Sequence, residues 1–231
     1  FFNSYIFTGI LLNQSAYINN YVNLCMLNIL INTKNVYSKH AIKQLVMESI
    51  TTDENVIFED KYTQSNIAQA HIIFTEMEPG EIFLCHDELK YKKEKSLLFI
   101  LQEKKSVSSK SEIPNCTKDC LFLYKSDSIP VITGKIYIHI NLFLLRGYED
   151  IAPKVNLCIN CPCKSITHAQ SKVIHALSLG LNQMQIAREL KVNYKTVYSH
   201  KKNVMHDFKI KGTQDLNKFM HVLNKRKQFI S

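Results

Sequence analysis

Residues 166–210 read ITHAQSKVIHALSLGLNQMQIARELKVNYKTVYSHKKNVMHDFKI, and their punctuation predicts three short helices joined by tight turns. Ala169, Val173, Ala176 and Leu177 recur at three- and four-residue spacing, which makes one apolar stripe on a helix of about three turns. Gly180 follows, where a left-handed residue ends a helix at little steric cost. Asn182 is placed to cap the next helix, with Gln185 three residues on as in a capping box. Ile186, Ala187 and Leu190 form its buried face. After the turn Lys191-Val192-Asn193, Asn193 caps a third helix in which Val197, Val204 and Phe208 point inward. Lys195, Tyr198, Ser199 and Lys202 share the opposite face, and a unit this small lets its last helix enter a major groove.

The charge supports that partner. Residues 164–231 hold 13 Lys and Arg against three acids, Glu189, Asp207 and Asp215, a net of +10. The rest of the chain holds 16 bases and 17 acids, so the whole excess of +9 sits at the carboxyl-terminal end. A solubility charge is spread along a chain, whereas a phosphate-binding surface concentrates it.

These residues resemble the four-helix DNA-binding domain of the LuxR-type (GerE- or FixJ-type) bacterial regulators. The resemblance covers roughly 60 residues and is carried by Ile166-Thr167, Val173-Ile174, Gly180, Ile186-Ala187, Leu190, Val192, Thr196-Val197, His200, Asn203-Val204 and Phe208 in register. Ala169, Gln170, Lys172 and Asp207 depart from the family pattern, and they weaken its usual charge pairs at the first helix. The resemblance implies a helix-turn-helix motif at 182–201, with Asn182, Lys195, Thr196, Tyr198, Ser199, Lys201 and Lys202 as candidate DNA-binding residues. Lysines and hydroxyls suit phosphate oxygens, and Lys also reaches the major-groove acceptors of guanine. Tyr198 stands where many members carry Lys, and His200 matches a residue that usually helps to pack the helix. The segment 213–223, with Leu216, Phe219, Met220 and Leu223 on one side, resembles the helix through which the family dimerises; closing the domain's own core is the other role open to it. Lys225, Arg226 and Lys227 read as an exposed basic tail.

Upstream, short apolar runs at 26–31, 55–58, 71–74, 96–101 and 120–124 read as strands, with helices near 38–48, 64–70 and 131–145. Strands alternating with helices predict a doubly wound parallel sheet covered on both faces. The expected organisation is an N-terminal extension (1–25), an α/β regulatory domain (26–146), a linker with Pro153 and Pro162 (147–164) and an all-α four-helix domain (165–231). No run approaches the ~18 to 20 apolar residues that span a membrane. Phe1 to Asn13 has neither the basic start nor the small-residue cleavage site of a leader, so a cytoplasmic protein without a membrane partner is expected.

The α/β part resembles the receiver domain of response regulators. Leu30-Ile31-Asn32-Thr33 sits where a receiver strand ends in two acids, Ile73-Phe74-Thr75-Glu76-Met77-Glu78-Pro79-Gly80 where the phosphorylated Asp lies, and Leu123-Tyr124-Lys125 where the phosphate-sensing Lys stands. In that register Lys125 survives, Asn32 and Thr33 replace the acids, and Thr75 replaces the acceptor. Aspartyl phosphorylation needs a carboxylate nucleophile and clustered oxygens that hold Mg²⁺. Thr75 lacks the first, Asn32 and Thr33 lack the second, and strand alternation turns Glu76 away from Thr75. The resemblance is thus to a degenerate receiver of the kind found in atypical regulators of capsule or fimbriae, some of which act by pairing with a second regulator.

Two further features carry weaker readings. Cys158, Cys161 and Cys163 form C-x₂-C-x-C, three soft ligands that His168 or Cys116 would complete, without the paired C-x₂-C spacing of most zinc sites. Cys85-His86-Asp87-Glu88 has reactive residue types, but adjacent loop residues rarely make a catalytic set, so no enzyme, cofactor or metal is expected. The expectation is a transcriptional regulator of double-stranded DNA, independent of aspartyl phosphorylation, working as a homodimer or with another regulator, and meeting RNA polymerase. The alternatives are a metal- or redox-sensing regulator using the cysteine cluster, and an auxiliary subunit of another regulator.

Overall fold

The computed structural model describes residues 26–50, 55–105, 109–147 and 160–226. The expected N-terminal extension, Pro153, Cys158 and Lys227 lie outside them. Five parallel strands, β1 (Met26–Asn32), β2 (Asn55–Glu59), β3 (Ile72–Glu76), β4 (Leu97–Gln102) and β5 (Leu121–Tyr124), form one sheet in the order β2-β1-β3-β4-β5. The predicted strands match within a residue or two. Their burial follows their position: central β3 is buried from Ile72 to Thr75, whereas edge strand β2 exposes every second residue.

One face carries α1 (Val36–Ser49) and α3 (Ile129–Leu145), whose Ile42, Val46, Ile136 and Ile140 pack with Ile29, Ile31, Phe74 and Phe99. Asn35 caps α1 by accepting from Ser38 N, and Pro130 starts α3 where its missing N–H is not needed. Among the described residues before the C-terminal helices, the other face carries α2 (Gln64–Gln69) and short 3₁₀ turns at Glu81–Phe83, Glu88–Tyr91, Lys110–Glu112 and Asn115–Thr117. The alternation of strand and helix therefore fails between β3 and β5, where Pro79-Gly80 and lysine-rich stretches interrupt every helical period.

The C-terminal helices, α4 (His168–Ser178), α5 (Gln183–Glu189), α6 (Tyr194–Asp207) and α7 (Thr213–Lys225), join this thinly covered side. Val204, Phe208, Leu216, Phe219, Met220 and Leu223 belong to one buried cluster with Leu30, Ile73, Met77, Ile82 and Phe83. The apolar side of α7 thus packs against the sheet side as well as within its own helical unit. The tail is corrected: Arg226 is tied into the junction rather than exposed. No helix among the described residues is long and apolar enough to cross a membrane.

Candidate nucleic-acid interface

Each helix of the C-terminal unit is fixed by its own ends. Thr167 Oγ1 accepts from Gln170 N and Gln170 Oε1 from Thr167 N (3.3 and 2.9 Å), a complete capping box. The box draws Gln170 inward and leaves Ala169 exposed, so the buried stripe of α4 is Gln170, Val173, Ile174 and Ala176. Gly180, at φ 84°, closes α4 with Leu181 N donating to Ala176 O (3.2 Å) and Gly180 N to Leu177 O (3.0 Å). Asn182 caps α5 by accepting from Met184 N and Gln185 N, both at 3.0 Å, so its carboxamide oxygen is committed to the helix. Lys191, at φ 52°, repeats the closure of Gly180, and Asn193 accepts from Lys195 N (2.9 Å) to start α6. Val173, Ile186, Ala187 and Val197 then form a compact core between the three helices.

Val197 and Val204 are fully buried and Phe208 almost so, as expected from their spacing. Lys195, Thr196, Tyr198, Ser199 and Lys202 are exposed on the outward side of α6. Exposed His206 extends that line by one turn and was missed by sequence reasoning. Lys201 is half-buried and lies on the flank near the packed stripe, and His200 is half-buried too. Lys172, Arg188, Lys191, Lys195 and Lys202 are exposed and make no ion pair among the described residues. Lys209, Lys218 and Arg226 instead reach Glu112, Glu78 and Glu81 across the junction. The basic excess thus serves two ends, an open surface and an internal seam.

Behind the seam lies the receiver-like pocket, at the carboxyl ends of β1 and β3, where the strand order reverses. Thr75 is buried and its Oγ1 accepts from Asn32 Nδ2 at 3.1 Å. Glu76 does not turn away from the pocket residues. Its carboxylate accepts from Thr33 Oγ1 (2.5 Å) and from Lys125 Nζ, which also donates to Glu103 (3.1 Å). Burial opposes its charge, but the hydrogen bonds from Lys125 and Thr33 prevail and hold the carboxyl below its ordinary value. Lys125 is held above its own, as Glu76 and Glu103 outweigh its burial. Thr33, just after β1, and Lys125, just after β5, reach Glu76 from the two sides of the end of β3.

A cavity of about 410 Å³ separates this pocket from α7, lined by Asn32, Tyr62, Thr75, His86, Lys225 and Arg226 among others. Arg226 closes it, donating to Cys85 O (2.7 Å), Glu81 Oε1 (3.1 Å) and His86 Nδ1 (2.8 Å). His86 Nε2 lies 3.2 Å from Glu81 O, so the network assigns the proton to Nε2. Burial, with the Arg226 charge beside it, pushes the His86 pKa down to about 3. The Cys85–Glu88 run therefore anchors Arg226 at the junction through Cys85 O and His86 Nδ1. The thiols divide likewise: Cys116 and Cys120 are buried, Cys161 accepts from Asn115 N (3.3 Å), and Cys163 lies beside Cys161 with burial raising its pKa. Among the described residues no group of three or more His, Cys, Asp or Glu is disposed to hold a metal, so Cys161 and Cys163 do not converge with His168 or Cys116.

Residues 164–220 match the family described as bacterial regulatory proteins, luxR family. No curated protein matches the chain. Among solved structures it is similar to RcsB from Salmonella enterica serovar Typhimurium bound to a promoter, at 16% identity and a TM-score of 0.50 over 85% of this chain and 98% of that one. It is also similar to a structure of two RcsB dimers bound to two parallel DNAs (16% identity, TM-score 0.49, 84% and 98% covered) and to the response regulator StyR (15%, 0.33, 85% and 98%). At these identities the likeness to the promoter-bound structure speaks for the fold: a receiver-like sheet followed by a helix-turn-helix domain.

Proposed function

Residues 164–220 form a LuxR-type regulatory domain, and on that premise we propose that the protein is a sequence-specific DNA-binding transcriptional regulator that works without aspartyl phosphorylation and as a dimer. The observation that carries the reading is the two-sidedness of α6: Val197 and Val204 are fully buried, while Lys195, Thr196, Tyr198, Ser199 and Lys202 face outward on a helix fixed at its start by Asn193. Lys195 and Lys202 engage phosphates or guanine edges, and Tyr198 and Ser199 contribute hydroxyls, with the flanking Lys172, Arg188 and Lys191 extending the phosphate-binding surface. The similar RcsB structure is bound to a promoter, and this supports DNA as the partner.

Independence from phosphorylation is supported by the pocket. Asn32, Thr33 and Thr75 are neutral, and the carboxylate nearest to Lys125 already holds it. Selection from a random duplex library followed by gel shift tests the main claim. A specific site bound with steep salt dependence is expected, and salt-insensitive, sequence-blind binding would refute it.

The proximity of Cys161 and Cys163, with Cys85 close by, supports a second reading in which thiol chemistry at the junction modulates DNA binding. Gel shifts with and without a thiol oxidant, with zinc analysis of the purified protein, separate the two. A metal-free protein indifferent to oxidation leaves only the first.

A further inference from the structure

The cavity of about 410 Å³ beside Arg226 is large enough for a small organic molecule, and its lining is mostly polar. A second hollow of about 290 Å³ shares Asn32, Glu76, Glu81, Lys225 and Arg226 with it. Most charges around the first are already matched. Glu76 is held by Lys125 and Thr33, Glu81 by Arg226 and the Glu78 N–H, and Asp87 by Lys90. Two are not. The Glu88 carboxylate and the Lys225 ammonium line the cavity and make no ion pair among the described residues. Both residues are exposed, Glu88 on a 3₁₀ turn of the sheet side and Lys225 at the end of α7, so one free charge of each sign stands on each part of the chain.

The inner wall offers uncharged hydrogen-bonding groups. Thr75 is bonded to Asn32 Nδ2 and to Tyr62, whose hydroxyl feels the charge of Glu88. Asn32 Oδ1 receives no hydrogen bond among the described residues and is left as an acceptor. This inventory selects a ligand. A phosphate or other polyanion meets four carboxylates here, those of Glu76, Glu81, Asp87 and Glu88, whereas a polyamine meets Lys225 and Arg226. Moving either kind of charge out of water without a partner is costly. A molecule with one charge of each sign and no net charge finds both free partners at once.

We infer that this cavity binds a free amino acid with an uncharged polar side chain. The carboxylate of the ligand pairs with Lys225, its ammonium pairs with Glu88, and its side chain reaches inward to Asn32, Tyr62 and Thr75. An apolar side chain leaves Asn32 Oδ1 without a donor, and this selects against it. Because Glu88 belongs to the sheet side and Lys225 to the helical unit, the bound molecule ties the two parts together beside Arg226. Asn32 and Thr75, at the carboxyl ends of β1 and β3, then serve as ligand contacts. The inference rests on the groups of the cavity and stands whether or not the chain binds DNA.

Thermal unfolding of the full chain with serine, threonine, asparagine or glutamine at millimolar concentration tests it, with titration calorimetry for the affinity. At least one of them is expected to raise the unfolding temperature in a concentration-dependent way. The N-acetyl and carboxamide derivatives of that amino acid, each lacking one charge, should bind about tenfold more weakly or worse. Glu88→Gln and Lys225→Met should weaken binding of the amino acid itself to a similar degree. Both replaced side chains are exposed, so an unchanged circular dichroism spectrum is expected. Hydrogen exchange should slow on binding at Glu88–Tyr91 and at the end of α7 together. No response to any of the four, a response equalled by phosphate or putrescine, or an affinity indifferent to both substitutions overturns the inference. If a variant fails to fold, the one-charge derivatives decide the matter on the wild type.

Discussion

A Cβ on Gly80 would stand 2.9 Å from Cδ2 of Phe219 and 3.3 Å from Cβ of Phe208. The turn after β3, which follows Thr75 and Glu76 by a few residues, thus meets α7 where only a hydrogen fits. Gly80 also sits at φ +82°, so both its backbone and its missing side chain are used. Through this contact the receiver-like pocket and the DNA-facing unit share one core.

Gly80→Ala is therefore expected to destabilise the chain by about 1–3 kcal/mol, from backbone strain and the clash together. Phe219→Ala, which opens a cavity in the same place, should cost about 3–5 kcal/mol. Urea denaturation checks both. An unchanged midpoint for Gly80→Ala would mean that the two parts do not pack as described.

The Arg226–His86 contact sets a pH dependence. His86 is an acceptor at Nδ1, and its pKa falls from 6.5 to about 3 in the fold. The unfolded state binds the proton more readily, so the stability this group contributes is complete above pH 6.5 and is lost as pH falls from 6.5 toward 3. The urea midpoint of the wild type minus that of His86→Gln should shrink steadily over that range. A difference constant with pH would contradict the assignment.

Glu76 titrates with the same sign in a lower window. Its folded pKa lies below the ordinary 4.5, so its contribution is present above that value and lost as pH falls through the folded one. Glu76→Gln should abolish that acid-side loss and free Lys125 from one of its two partners. Measuring the unfolding midpoint between pH 5 and 3 for both proteins, with Glu81 and His86 common to each, isolates the effect.

Restoring an acceptor should not restore the switch. Thr75→Asp lacks the acids that Asn32 and Thr33 replace, and Lys125 stays bound to Glu76. Incubation with Mg²⁺ and a small phosphodonor is expected to leave both this variant and the parent unmodified by intact-mass analysis. Phosphorylation of the parent would refute the degenerate-pocket reading.

On α6 the two neighbouring lysines should separate. Lys202→Ala, on the outward line, is expected to weaken DNA binding by about 1 kcal/mol or more and to reduce the salt slope by about one. Lys201→Ala, on the flank, should do less. Gel shifts at several salt concentrations decide it, and equal losses would mean that the helix docks on another face.

The sequence by itself determined what depends on near neighbours. The caps at Asn182 and Asn193, the left-handed closure at Gly180 and the buried Val197 and Val204 were legible because each interaction spans a turn or so of chain, whereas the Thr167–Gln170 capping box was not read from the sequence. The strands were legible because runs such as IIFT and LLFIL suit only a sheet interior. Ala169 was misplaced by a small rotation about its helix, which spacing alone does not resolve. What only the tertiary structure decided lies between distant residues. Glu76 reaches Thr33 and Lys125 over separations of 43 and 49 residues, and Arg226 reaches His86 over 140. The apolar side of α7 was open to another copy or to the core of its own domain, and in the fold it also meets Ile82 and Phe83 of a distant 3₁₀ turn. No local rule distinguishes them, since burial rewards either. Among the described residues the crossovers after β3 and β4 hold 3₁₀ turns and no α-helix on that side of the sheet, and α7 packs against those turns.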